Sequence, residues 1–152
     1  MKGRVWGRRI GLTAIVWLAG LSAACDEKLR DLAGPSPNLK PTFASIQHEI
    51  FETTDGAGRP ACINCHTNQG RNPTGGLNLA VNPYDAIVNV PSRRRPDMML
   101  VAPGNPENSY IIHKLEGRSD IVGARMPFNG PYLTNGQILV IRRWIEIGAP
   151  RN

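Results

Sequence analysis

Apolar positions recur at helical spacing in short runs, separated by stretches rich in glycine and proline. Pro41-Thr42 opens the first run, and Phe43, Ile46, Ile50 and Phe51 fall on one side of a short predicted helix. His48 lies opposite that face, and Asp55-Gly56-Ala57-Gly58 stops the run. Residues 62–66 begin another short helix, and the stretch Asn68 to Leu79, with Pro73 and Gly75-Gly76, reads as loop. Asn82-Pro83 pairs a cap with a first-turn proline and predicts a helix through Val88. Pro91 to Pro96 encloses Arg93-Arg94-Arg95 in an exposed loop, followed by an apolar patch that would absorb Met98 and Met99. Pro106 starts a helix through Leu115, which Gly117 ends. Gly123 to Leu133 is irregular, and Thr134 caps a final helix. There Ile138, Ile141 and Ile145 share a face, with Trp144 flanking, Arg142, Arg143 and Glu146 opposite, and Gly148 at the end. No run reads as a strand, so the expected class is all-α.

Length and composition sharpen this picture. The chain of 152 residues suits one domain with one modest core. Its 16 glycines and 13 prolines imply short helices and long loops, a composition suited to a core whose centre is a large apolar cofactor. Residues 1–24 read as a secretory signal: Met1 to Arg9 is basic, and the apolar stretch Ile10 to Leu21 is too short to span a bilayer comfortably. Leu21-Ser22-Ala23-Ala24-Cys25 resembles a bacterial lipoprotein cleavage box, with Ser22 where leucine is commoner, and makes Cys25 the lipid-bearing first mature residue. Residues 25–40 then form a tether with a reach of roughly 20 Å, and the folded domain spans 41–152. The expected location is the periplasmic side of a bacterial envelope, anchored to a membrane by lipid. Losing residues 1–24 removes four of the 18 basic residues and none of the 12 acidic ones, so the formal charge falls from +6 to +2. That balance gives no footing to a nucleic-acid partner.

The chemistry concentrates in Cys62-Ile63-Asn64-Cys65-His66, a Cys-x-x-Cys-His attachment sequence for c-type haem. Two thiols at this spacing can bond both vinyl groups of one porphyrin, and the next residue places an imidazole beneath the iron. With Cys25 lipidated, all three cysteines are accounted for and no disulfide framework remains. A thioether suits the opposite face of the iron. Met126 is the main candidate: it sits 60 residues after His66 in an irregular loop, and Pro127 keeps that loop from turning helical. Met98, Met99 and His48 are rivals, while His113 reads as structural. Two other uses of Cys62 and Cys65 stay open at this point. One is a thiol-disulfide oxidoreductase, though no βαβ pattern accompanies the pair. The other is a zinc site completed by His66 with His48 or His113.

Four pieces in order, a first helix, Cys62-x-x-Cys65-His66, the Met126-Pro127 loop and a C-terminal amphipathic helix, make Phe43 to Pro150 resemble a class I monohaem cytochrome c. The likeness is to bacterial domains that also carry Gly75-Gly76-Leu77-Asn78-Leu79, Pro103-Gly104-Asn105-Pro106-Glu107-Asn108-Ser109 and a closing Trp144-Ile145-Glu146-Ile147-Gly148-Ala149. The resemblance implies first and last helices crossing through Phe43, Ile46, Ile50, Ile141 and Trp144, with haem wedged beneath. The stretch between Leu79 and Met126, with its arginine run, departs from the pattern. The implied cofactor is one covalent haem c on Cys62 and Cys65, with His66 and Met126 as iron ligands. Such a haem carries electrons and needs no catalytic residue. The expected partners are redox proteins of the cell envelope, for which Arg93-Arg94-Arg95 offers a docking patch. Arg125, Tyr132 and Trp144 are candidate partners of the haem propionates. A haem sensor with a labile sixth ligand is the alternative function.

Overall fold

The computed structural model describes Gly34 and residues 36–152. The expected signal segment, Cys25 and the first part of the expected tether lie outside the described residues. The regular structure is helical: α1 (Phe43–Ile46) runs into a π-helical segment (Gln47–Glu52), followed by α2 (Pro83–Ile87), α3 (Tyr110–Glu116) and α4 (Asn135–Glu146). Short 3-10 turns stand at Cys62–Asn64, Thr74–Gly76 and Pro106–Asn108. Among the described residues, extended pairing is limited to isolated bridges between Val88 and Val101, Pro91 and Met99, and Met99 and Ser109. No helix among them is long and apolar enough to cross a membrane.

Local chemistry sets each boundary. The Thr42 hydroxyl accepts from Ser45 N at 3.3 Å and starts α1. Where the periodicity predicts α-helix through Phe51, the chain widens into π turns, and the terminal carbonyls are left without helical donors. Arg59 takes them. Its side chain is fully buried and donates to the carbonyls of Ile50 (3.0 Å), Glu49 (2.9 Å), Thr53 (3.1 Å) and Pro60 (3.0 Å), and to Asp55 Oδ2 (3.1 Å). Those bonds use all five N–H donors that a guanidinium has.

The helix expected from Pro106 to Leu115 is broken at Ser109, which is extended. The backbone there pairs sideways: Tyr110 N donates to Met99 O at 2.8 Å and Ile111 N to Leu100 O at 3.0 Å. The Ser109 hydroxyl secures the break, accepting from Ala102 N (2.9 Å) and donating to Asn105 O (2.9 Å). At α2, Pro83 takes the first position, but Asn82 is left-handed (φ 46°) and its side chain makes no cap bond. α4 follows the pattern closely. Thr134 and Gln137 form a reciprocal capping box, and Ile138, Ile141, Trp144 and Ile145 are buried.

One core unites the two ends of the domain. Phe43, Ile46, Ile50, Ile141 and Trp144 belong to the same buried cluster. The Phe43 ring lies 5.6 Å from Trp144 and meets Tyr84 edge-on at 5.0 Å. Asn152 closes the seam: its carbonyl accepts from Ala44 N at 2.8 Å and its side chain from Phe43 N at 3.2 Å. Packing also begins before Pro41. Ser36 and Leu39 are buried, and the Ser36 hydroxyl accepts from Gln137 Nε2 at 3.0 Å. The end of the expected tether is therefore part of the domain, because buried Gln137 needs a polar partner.

Candidate functional site

The Cys62–Asn64 turn delivers His66 through bonds from Cys65 N (3.2 Å) and His66 N (2.9 Å) to the Cys62 carbonyl. The following loop then folds back over it: Thr74 N donates to Cys65 O (3.1 Å) and Leu79 N to His66 O (2.8 Å). His66 Nδ1 lies 3.0 Å from the Thr74 carbonyl, which can only accept, so Nδ1 carries the proton and Nε2 is the bare nitrogen. Burial pushes the His66 pKa below its ordinary value and outweighs the raising effect of the nearby carbonyls. The neutral imidazole, the form that binds metal, is thereby favoured.

His66 lines a cleft of about 520 Å³, within the size range of small-ligand sites. Leu77, Ala86, Val90, Leu100 and Ile111 supply apolar wall. Met126 lines the same cleft. Its loop hangs from the C-terminal end of α3, whose last carbonyls have no helical donors. Met126 N donates to Lys114 O (2.9 Å) and Arg125 Nε to Leu115 O (2.8 Å). Lys114 Nζ reaches back to the carbonyls of Val122 (3.1 Å) and Ala124, and Val122 N donates to the Tyr110 hydroxyl (2.9 Å). Arg125 stacks over the Tyr132 ring at 4.2 Å. Gly117 makes room for it, because a Cβ there would stand 2.7 Å from Arg125 Cδ. The structure thus brings together an imidazole and a thioether far apart in sequence, across an apolar cleft. That donor set and lining fit haem.

The thiols differ in setting. Cys62 is half-buried and its Sγ donates to the Ile50 carbonyl at 3.3 Å, whereas Cys65 is exposed. Neither belongs to the cleft wall. Burial pushes the Cys62 thiol up to about 11, the reverse of what a thiol-disulfide nucleophile needs. His48 is exposed and pairs with Glu49. His113 is buried, with Nδ1 2.9 Å from Asp120 and Nε2 2.7 Å from the Glu107 carbonyl. Neither histidine meets Cys62, Cys65 and His66, and among the described residues no group of three or more His, Cys, Asp or Glu side chains could hold a metal ion.

Other expectations are corrected. Met99 is 40% exposed and Met98 half-buried, and neither joins the core. The Met99 backbone pairs with its neighbours, which turns the side chain outward. The Trp144 indole donates to Pro150 O (2.9 Å), and Arg125, Tyr132 and Trp144 all lie outside the cleft wall. The arginine run is not one patch. Arg95 is tied to Asp97 (2.7 Å) and Asp120 (3.3 Å), while Arg93 and Arg94 line the cleft together with Lys114. The sequence carried a weak signal for that wall in the prolines flanking the run, Pro91 and Pro96. It carried none for Tyr110 or Phe128, which also line the cleft. Comparison of the chain with known protein families, with curated proteins and with solved structures finds no match, so the chemistry of this site rests on its own residues.

Proposed function

We propose that this chain is a class I monohaem cytochrome c, exported, anchored to a membrane through Cys25, and dedicated to one-electron transfer between redox proteins of the cell envelope. One observation carries the proposal: the histidine of the Cys-x-x-Cys-His sequence and Met126 line the same apolar cleft. Haem bound there supplies a one-electron couple at its iron. The chain's own residues hold and shield it. Cys62 and Cys65 would attach the macrocycle, and His66 Nε2 and the Met126 sulfur would ligate the iron. Thr74 fixes the imidazole through Nδ1, and the Lys114–Ala124 contacts hold the methionine loop. Ligation by both His66 and Met126 would leave no ready vacancy for a substrate, which favours carriage of electrons over catalysis.

The test is expression with a c-type maturation system, followed by a haem-stained denaturing gel, intact mass and oxidised and reduced spectra. Covalent haem with a low-spin, methionine-ligated spectrum is expected. Absence of covalent haem, where a control cytochrome matures, would return Cys62 and Cys65 to a dithiol or metal role.

A further inference from the structure

The cleft has a charge pattern that the iron ligands leave unexplained. Its wall includes Arg93, Arg94 and Lys114 and no aspartate or glutamate. Lys114 is committed to the carbonyls of Val122 and Ala124. The Arg93 and Arg94 side chains have no hydrogen-bond or carboxylate partner among the described residues, although every other arginine from Arg95 to Arg151 except Arg125 pairs with an acid. Arg93 is also seated. Its side chain crosses Gly76, where a Cβ would stand 2.5 Å from Nη1 and 2.7 Å from Cδ. An apolar cleft with uncompensated guanidinium groups calls for a ligand that is largely apolar and carries carboxylates, since guanidinium and carboxylate match in geometry and charge.

We propose that Arg93 and Arg94 receive the propionate carboxylates of the haem, and that this segment orients the cofactor and raises its reduction potential. The proposal rests on the haem reading. It gives the stretch between Leu79 and Met126 a function in the cofactor site, in place of a docking patch for a partner. Positive charge beside the iron disfavours the oxidised state, and pairing with the propionates removes negative charge that would favour it.

The experiment uses the matured, haem-loaded chain and compares it with the Arg93→Gln/Arg94→Gln and Arg93→Lys/Arg94→Lys double variants and with Arg143→Gln. Arg143 is exposed on α4 and pairs with Glu146, away from the cleft. Haem staining and the methionine-ligated spectrum establish first that each protein carries its cofactor. The midpoint potential and the carboxylate bands in redox difference infrared spectra are then read. The glutamine pair is expected to lower the potential and shift the carboxylate bands. The lysine pair should recover most of the potential, and Arg143→Gln should change neither. Unchanged potential and bands in the glutamine pair would overturn the proposal. So would a defect seen only in the rate of reaction with a partner protein, which would restore the docking role. Wild-type chain without covalent haem would instead remove the reading beneath it, and the gel distinguishes that result from the others.

Discussion

At the scale of single residues, the site depends on groups with few substitutes. Met126→Ala removes the thioether that lines the cleft with His66 and leaves the loop backbone in place, because Met126 N and Arg125 are held by backbone carbonyls of α3. The haem-loaded variant should have a lower midpoint potential and bind added imidazole or carbon monoxide, readable by titration of the visible spectrum; an unchanged spectrum and potential would dismiss Met126 as ligand. Arg59 is the structural counterpart. Arg59→Ala strands Asp55 and four carbonyls in the interior and should cost roughly 3–5 kcal/mol in denaturant unfolding. The same pair sets an acid limit. Burial raises the Asp55 pKa, but bonds from the N–H groups of Arg59 and Ala57 and the Arg59 charge outweigh it, so the folded value lies below 3.8. A depressed folded pKa means stability present above the ordinary value and lost as pH falls through the folded one. Wild type should therefore lose stability in that acid window, and Arg59→Ala should show a shallower loss there. Cys62, Cys65 and His66 could be singled out from sequence because their spacing suggests the chemistry proposed for them. Arg59 was not, since a buried arginine looks like any other until the carbonyls it satisfies are in place.

At the scale of elements, local signals and long-range pairing divide the result. α4 was legible because its cap, apolar face and glycine stop all lie within the helix. Thr134→Ala should cost about 1 kcal/mol, measured by thermal or urea unfolding, since Gln137 N loses the hydroxyl it donates to while the Thr134 backbone N–H keeps the Gln137 side chain. The break at Ser109 was not legible. It arises from bonds to Met99, Leu100 and Ala102, and nothing in the run Pro106 to Leu115 announces them. The π segment was hidden for the same reason, its ending being completed by Arg59 several residues later. The methionine loop shows a third pattern: its position was legible from Pro127, but its anchoring to α3 required Lys114 and Arg125 to be seen across the helix end.

At the scale of the whole molecule, α2 and α3 serve both the hydrophobic core and the apolar cleft: Ile87, Ile112 and Leu115 belong to the core, and Ala86 and Ile111 line the cleft. On the haem reading, the cleft is the second half of the core. The chain matured without haem, or as Cys62→Ser/Cys65→Ser, should unfold at lower denaturant and with a smaller slope than the loaded protein, because less apolar surface is buried against the same backbone. Equal midpoints and slopes would mean that the cleft contributes nothing to stability. The expected all-α class agrees with the helical architecture, while the division at Pro41 placed the domain edge too late, as the burial of Ser36 and Leu39 shows.

The bond between Ala44 and Asn152 also has a consequence for the order of events in the cell. Were the chain exported as proposed, residues 62–66 would reach the outside well before Asn152. Until then the first helix lacks its partner, and Phe43 has no Trp144 to pack against. Contacts so distant in sequence form late. On the proposed reading, residues 62–66 would stay open until the segment around Trp144 and Asn152 docks on the first helix. If the chain is exported and loaded with haem as proposed, that seam would act as a timer, leaving both thiols accessible until it closes.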